Sequence, residues 1–257
     1  MIGIRSEDQI QKMRDAGVLL HAVLEHLKQM IQPGITTREL DQAAERMIRD
    51  AGAIPSFLGY NGFSASICAS PDDQVVHGIP NDDPLEEGHL ISVDCGVILH
   101  GWQSDSAFTA PIGQAPTKVL DLIRVTEESF WLGAKQAREG NRLGDISNAV
   151  QRHAESHGYG VIRDLCGHGI GQQMHEDPSI PNYGPAGRGV RLRAGMTLAI
   201  EPMIAMGTWR VFQMNDGWTV VTQDHGWCSH YEHTILVTDG DPEILSMPGA
   251  NPWGEAQ

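Results

Sequence analysis

Two aspartates flank a short turn in Val93-Asp94-Cys95-Gly96-Val97-Ile98-Leu99-His100-Gly101-Trp102-Gln103-Ser104-Asp105. Read as a hairpin turning near Leu99-Gly101, the segment sets Asp94 nearly opposite Asp105, with Cβ atoms about 5 Å apart. Carboxylates that close in a half-buried sheet repel, so one holds a proton or a cation lies between them. A pair of solvated turn residues is the plainer reading, and further ligands must decide. The chain supplies them. Gly167-His168-Gly169-Ile170-Gly171 is a flexible turn presenting an imidazole. Ala199-Ile200-Glu201-Pro202 and Tyr231-Glu232-His233-Thr234-Ile235 set carboxylates into apolar strands with no Lys or Arg nearby in sequence. An unpaired charge there costs on the order of several kcal/mol. Four carboxylates and one histidine suit one or two divalent cations such as Mn, Fe, Co or Zn, and not a thiolate-loving site.

The elements that must position these groups begin with a capping box, Ser6-x-x-Gln9, ahead of Ile10, Met13, Gly17, Leu20, Leu24, Leu27 and Ile31, spaced as one helix face. Pro33-Gly34 ends that helix. A second box, Thr36-x-x-Glu39, opens a helix with Leu40, Ala43, Met47, Ile48 and Ala51 inward and Gly52 at its end. Two more helices are expected at about 118–138 and 144–157, the latter closed by Gly158. Short β-rich segments follow each pair: 91–99 and 104–110, then 197–203, 218–222 and 233–238. Helices grouped apart from mostly antiparallel strands imply an α+β arrangement, with helices covering one face of a curved sheet.

The two regions also resemble each other. The run from Gly34 to Gly52 matches the run from Gly140 to Gly158 at an offset of 106, and Leu85–Asp94 matches Leu192–Glu201 at an offset of 107. Two matches at nearly one offset mark an internal repeat. The expected organisation is a single domain over 1–257 built from halves of about 1–115 and 116–250. Asp94 and Glu201 are equivalent under the repeat, so a site at the join draws one acidic residue from each half.

Composition excludes several alternatives. At 257 residues, 40% hydrophobic, the chain is globular and long enough for a substantial core. No run of about 18 apolar residues exists for a membrane span, and the N-terminus lacks a secretory pattern, so a cytoplasmic location is expected. A formal charge of −15 argues against nucleic acid as a partner. Cys68, Cys95, Cys166 and Cys228 form no C-x-x-C pair, which argues against a disulfide framework or zinc knuckle; Cys95 and Cys166 are expected to be buried, inert thiols.

At the level of motifs the chain resembles the type I methionine aminopeptidases, in their short bacterial form, from the first helix to about Asp239. The matching segments are Tyr60-Asn-Gly-Phe63, Ser66-Ile-Cys68, Val76-His77-Gly-Ile-Pro80, Val93-Asp94-Cys-Gly96, Ser104-Asp105-Ser-Ala, Gly167-His168-Gly-Ile-Gly171, Met174-His175-Glu-Asp-Pro178, Ile200-Glu201-Pro-Met203, Asp216-Gly-Trp218 and Tyr231-Glu232-His233-Thr234. Ser64, Met174 and Ser106-Ala107-Phe108 depart from the commonest pattern, which bears on pocket shape and removes no ligand.

The resemblance implies a pita-bread fold and two divalent ions (Co, Mn, Fe, Zn or Ni) held by Asp94, Asp105, His168, Glu201 and Glu232, with Asp105 and Glu232 bridging. It implies removal of an initiator methionine from nascent polypeptide N-termini when the second residue is small, by a water bridging the metals. Glu201 then serves as proton shuttle, His175 as donor to the developing oxyanion and His77 as donor to the substrate's peptide group. Tyr60, Phe63, Cys68, Met174 and Trp218 are the candidate methionine pocket, since a thioether pairs well with aromatic faces and soft sulfur. A monomer with transient ribosome association is expected. Cys68 as a nucleophile is the competing chemistry, and it lacks a neighbouring base in sequence. Two other readings have clear signatures. An X-Pro aminopeptidase or prolidase usually carries a sizeable extra N-terminal domain, whereas only about 75 residues precede His77. A non-catalytic relative would have lost ligands, and none is lost.

Overall fold

Ser6 and Gln9 exchange side-chain-to-backbone hydrogen bonds of 3.4 and 3.0 Å, which start helix α1 (Glu7–Met30). Thr36 and Glu39 do the same for α2 (Thr37–Asp50). The computed structural model describes residues 2–249 and 252–253. Met1, Ala250, Asn251 and residues 254–257, all inside the expected domain span, lie outside the described residues. In α2 the inward positions are Leu40, Ala44 and Ile48; Ala43 and Met47 are half-buried, and Ala51, expected inward, is exposed. Ala51 caps the helix just before Gly52 turns the chain away at φ 75°.

In chain order there follow β1 (Ile54–Pro55), a 3-10 turn (Tyr60–Gly62), β2 (Ile67–Pro71), β3 (Gln74–Val76), β4 (Leu90–Leu99), β5 (Trp102–Pro111), α3 (Thr117–Ala134) and α4 (Leu143–Ser156). The remainder is β6 (Gly160–Val161), β7 (Gly167–Gly169), β8 (Glu176–Ile180), β9 (Thr197–Ile200), β10 (Met203–Ala205), β11 (Val211–Gln213), β12 (Val220–Thr222), β13 (Cys228–His230), β14 (Glu232–Leu236) and β15 (Glu243–Ile244). The main sheet runs β1-β4-β5-β14-β9-β7-β8, with β2 also on β4 and β15 also on β14. Two small sheets, β13-β10-β6 and β11-β12-β3, stand beside it.

Side chains alternate across a strand, so the registers decide what shares a face. Val93 lies opposite Phe108 and Ile91 opposite Ala110, and this face packs on α1 and α2 through Leu20, Leu24, Leu27, Leu40 and Ile48. His233 lies opposite Ile200, Ile235 opposite Leu198, and this face packs on α3 and α4 through Phe130, Ala134 and Ile146. Because β5 pairs with β14 through Ser106↔His233, the two apolar faces are one continuous face. The helices therefore cover one side of the sheet, as expected. The other side, at Ala107 and Glu232, is left open for polar groups. At the contact between α1 and the C-terminal segment, a Cβ at Gly17 would stand 1.9 Å from Leu245 O, so only glycine fits.

Three strand expectations are corrected. The strand expected at 197–203 breaks after Ile200, where Pro202 has no N–H for a ladder, and the chain resumes as β10 in another sheet. The strand expected at 218–222 starts only at Val220, since the Asp216 carboxylate takes the N–H groups of Trp218 and Thr219 at 2.8 and 2.9 Å. Asp94 is opposite Ala107, and Asp105 is opposite Gly96, so the two aspartates are diagonal neighbours. The hairpin turns one residue later than a fold centred on Leu99-Gly101 requires: Leu99 pairs with Trp102 around His100-Gly101, both at positive φ.

The backbone repeats itself where the sequence does. Gly34 N–H donates to Leu85 O at 2.8 Å and Leu85 N–H to Ile35 O at 2.8 Å; Gly140 N–H donates to Leu192 O at 3.1 Å and Leu192 N–H to Asn141 O at 2.8 Å. The isolated bridges Thr36↔Pro84 and Arg142↔Arg191 fall at the same two offsets.

Candidate metal centre

The open face collects the acidic groups by register alone. Asp94, Asp105 and Glu232 lie on alternate positions facing the same way, because Asp94 pairs with Ala107 and Ala107 pairs with Glu232. His168 pairs with Ala199, two residues before Glu201, which puts the imidazole and that carboxylate on this face as well. Cys68, opposite Asp94, joins them from β2, whereas Cys95 points into the helix-side core.

His168 is oriented by its own backbone neighbourhood. Its Nδ1 is 2.9 Å from Gly169 O and must donate to it, so Nε2 carries the lone pair, 3.7 Å from both Asp105 Oδ2 and Glu201 Oε1. Gly167 is glycine because a Cβ there would lie 2.3 Å from Ala199 O. Asp105 is held on β14 by Thr234, whose hydroxyl accepts Asp105 N–H at 3.0 Å and donates to Asp105 O at 2.9 Å.

Burial, reinforced by the charge of Asp105, pushes Asp94, Glu201 and Glu232 well above the ordinary carboxylate range. Asp94 Oδ1, Asp105 Oδ1 and Glu232 Oε1 are buried without a hydrogen-bond partner among the described residues. Such oxygens are rare in folded proteins, and a cation is the group that would satisfy several at once. Donor atoms of Asp105, His168 and Glu232 lie within 4.8 Å of one another, as do those of Asp94, His230 and Glu232. A donor set of carboxylate oxygens with imidazole nitrogen fits borderline divalent cations.

Above this floor is a cavity of about 270 Å³. Among its lining residues are Tyr60, Phe63, Cys68, His77, Asp94, Asp105, His168, His175, Glu201, Trp218 and Glu232. Phe63 meets Trp218 edge-on at 5.0 Å, and the His77 ring stands 6.4 Å from Trp218 on a backbone held at φ 61°. His175 Nδ1 is 2.8 Å from Tyr60 Oη, and its ring lies 4.4 Å from that of His168. Burial, then the neighbouring His168, pushes His175 down to about 4, and burial also lowers His77, so both imidazoles are neutral near pH 7. Burial and the carboxylates raise the Cys68 thiol well above its usual range, which keeps it protonated and counts against a nucleophilic role.

Two sequence expectations fail here. Met174 is not a lining residue: it is buried behind the wall with Phe63, Cys68 and Trp102, and its methyl would lie 2.8 Å from a Cβ on Gly96. Cys166 is not buried; it is exposed at the cavity edge. Sequence reading also missed Phe57, Asn61, Val76, Leu165, Met203 and His230 as cavity-lining residues: Asn61, Val76 and Met203 stand inside the matching motifs but carry no ligand or acid–base group, and the others lie outside them. The loop bearing Met174 and His175 is anchored by Arg5. Its guanidinium donates to Ile170 O at 3.1 Å and Thr197 Oγ1 at 3.2 Å, pairs with Glu176 and stacks over Trp102 at 5.4 Å.

A model of metallopeptidase family M24 matches residues 11–239. The chain belongs to metallopeptidase family M24. This family member is 51% identical to a methionine aminopeptidase of Clostridium acetobutylicum, over 96% of this chain and 99% of that one. It is 48% identical to methionine aminopeptidase 1 of Bacillus subtilis, again over 96% and 99%. The crystal structure of methionine aminopeptidase from Rickettsia prowazekii superposes with a TM-score of 0.95 at 42% identity, covering 96% of this chain and 100% of that one. The prolidase of Pyrococcus horikoshii shares the fold, TM-score 0.75 at 21% identity, but this chain spans only 63% of it. The architecture of this family member is thus the α+β pita-bread fold. Its carboxylate and histidine clusters agree with the use of divalent metal. No helix among the described residues is long and apolar enough to cross a membrane.

Proposed function

We propose that the protein is a methionine aminopeptidase that removes the initiator methionine from nascent polypeptides whose second residue is small. The observation that carries this reading is the convergence of Asp94, Asp105, His168, Glu201 and Glu232, with buried oxygens lacking partners, beneath a cavity walled by Phe63, Cys68 and Trp218. These five side chains would hold two divalent ions, with Glu232 belonging to both donor clusters and Asp105 beside it on β5. Bound there, the ions supply Lewis acidity for activating water and polarising the scissile carbonyl.

The chain's own groups do the rest. Glu201, half-buried at the edge of the cluster and lining the cavity, carries a proton from water to the leaving amine. His175, neutral and braced by Tyr60, donates to the carbonyl oxygen as negative charge develops on it. His77 donates to the substrate's peptide group. Phe63, Trp218, Tyr60 and Cys68 surround the methionine side chain, and Met174 supports that wall from behind. A bulky second residue collides with a rim crowded by His77 and His175, and each 1.4 kcal/mol of clash lowers the rate about tenfold. The chain over 1–257 acts as one catalytic domain of two related halves, about 1–115 and 116–250, as a cytoplasmic monomer with transient access to the ribosome.

Turnover of Met-Ala-Ser and Met-Pro peptides, before chelation, after it, and after add-back of Co, Mn, Fe, Zn or Ni, tests the whole reading. The expected result is cleavage of Met-Ala-Ser that vanishes on chelation and returns with metal, with a Met-Ile peptide nearly inert. Full activity in metal-free protein, or Met-Ile cleaved as fast as Met-Ala, contradicts it.

A further inference from the structure

His230 takes no part in the ligand set proposed above, yet the strand that carries it is pinned in place. Its N–H donates to Thr109 Oγ1 at 2.9 Å, and the same hydroxyl donates back to His230 O at 2.8 Å. Opposite it on β10 is Met203, so the strand is fixed from both sides. The side chain is 2% exposed and lines the cavity. Its Nε2 makes no hydrogen bond to any of the described residues; it stands 3.5 Å from Glu232 Oε2, and donor atoms of Asp94, Glu232 and His230 fall within 4.8 Å of one another.

A buried ring nitrogen without a partner is an outlier in a folded protein. Its surroundings narrow the choice of what completes it. Asp94 Oδ1 and Glu232 Oε1, in the same cluster, also lack partners. One imidazole nitrogen and two carboxylates aimed at one spot form the donor set of a borderline divalent cation. The neighbouring cluster, Asp105, His168 and Glu232, has the same composition and shares Glu232.

We infer that His230 Nε2 is a sixth protein ligand of the centre, binding the ion held by Asp94 and Glu232, so that each of the two metal positions has one imidazole. The inference rests on the dinuclear reading and adds a consequence for metal choice. Without His230 the Asp94 position is all oxygen and favours Mn or Mg; with it, the position shifts toward Co, Fe, Ni and Zn.

The test uses the full-length protein stripped of metal and titrated with Co(II) by calorimetry, with bound metal counted after desalting. Wild type, His230→Gln and His168→Gln are compared. Wild type is expected to bind two Co(II). His230→Gln should weaken one of them by at least the 10–100-fold that accompanies loss of a group merely supporting a ligand, alter the visible Co(II) spectrum, and weaken Mn(II) binding less. Unchanged affinities, stoichiometry and spectrum in His230→Gln overturn the inference and leave the dinuclear reading standing. Failure of wild type to bind Co(II) overturns both. A measurement that needs no His230 variant uses protein labelled with 15N in its histidine rings and loaded with Zn(II). Large shifts of one ring nitrogen in each of two histidines, one lost in His168→Gln and the other kept in His77→Gln and His175→Gln, support His230 as ligand; a shift confined to His168, or a second signal lost in His77→Gln or His175→Gln, overturns it.

Discussion

His230 and His233 are three residues apart and equally buried, and burial pushes both down to about 3, yet their surroundings are opposite. Behind the sheet, His233 Nδ1 lies 3.0 Å from Ser106 Oγ and 2.9 Å from Ser246 Oγ, and Nε2 lies 3.2 Å from Tyr231 Oη. Ser106 in turn donates to Glu232 O at 2.6 Å. On the open face, His230 Nε2, Asp94 Oδ1, Asp105 Oδ1 and Glu232 Oε1 have no hydrogen-bond partner among the described residues. Strands β5 and β14 thus carry part of a closed polar network on one side, through Ser106 and His233, and part of an open one on the other, through Asp105 and Glu232. A closed network is satisfied once the chain folds; an open one is satisfied only by something the chain does not contain. Position within the fold does not separate structural from chemical histidines here. The hydrogen-bond inventory does.

Substitutions on the two faces should therefore fail in different ways. The largest effect is expected for Glu232→Gln or Asp105→Asn on the open face: peptidase activity at background and loss of bound metal, with the melting temperature of the metal-free protein unchanged or raised, because a buried group that repels its neighbouring carboxylates when ionised is gone. Metal analysis and calorimetry check it, and full metal content in an inactive Glu232→Gln would mean that the open face is not completed by cations. Next is His175→Ala, for which kcat should fall about a hundredfold or more, some 3 kcal/mol, with little change in KM or metal content. A pure KM effect would move His175 from charge stabilisation to substrate binding.

On the closed face, His233→Ala should mainly lower stability, leaving buried hydroxyls of Ser106, Ser246 and Tyr231 short of partners at about 1–3 kcal/mol for each group left unsatisfied. Denaturant titration measures this, and below the transition the variant should keep its metal. Loss of metal with unchanged stability would erase the distinction between the faces. The smallest effect is expected for Cys68→Ser, which should retain metal-dependent turnover, with a modest rise in KM from a more polar pocket wall. A dead variant that still binds metal would restore the thiol as nucleophile.

Much of this arrangement was legible in local signals. Ser6-x-x-Gln9 and Thr36-x-x-Glu39 locate two helix starts because a cap is a short-range hydrogen-bond pattern. The repeat pointed to Asp94 and Glu201 before any geometry, and the structure brings them to one open face. What escaped was set by long-range partners. The strand break at Pro202 leaves Glu201 at a strand end, and the hairpin register moved by one residue because His100 and Gly101 alone form the turn. Met174 points behind the wall because Gly96 leaves room for its methyl, which no spacing rule encodes. His230 was invisible for a similar reason. Its neighbours in sequence, Ser229 and Tyr231, give no ligand pattern, and its cluster forms only when β4 of the first half lies near β13 and β14 of the second.

The place of β14 in the sheet has a consequence for how each copy of the protein comes into being. This strand lies between β5 and β9, and it carries Glu232, which belongs to both ligand clusters. It is also synthesised after the strands that carry the other ligands, joining Asp105 across a separation of 129 residues at Thr234. A chain still emerging from the exit tunnel holds Asp94, Asp105 and His168 but lacks the strand that closes the sheet between its halves. Contacts so distant in sequence form late and slowly. A copy made only as far as β9 is therefore a pair of open sheet edges without a complete centre, and no molecule can hold both ligand clusters before β14 has been added.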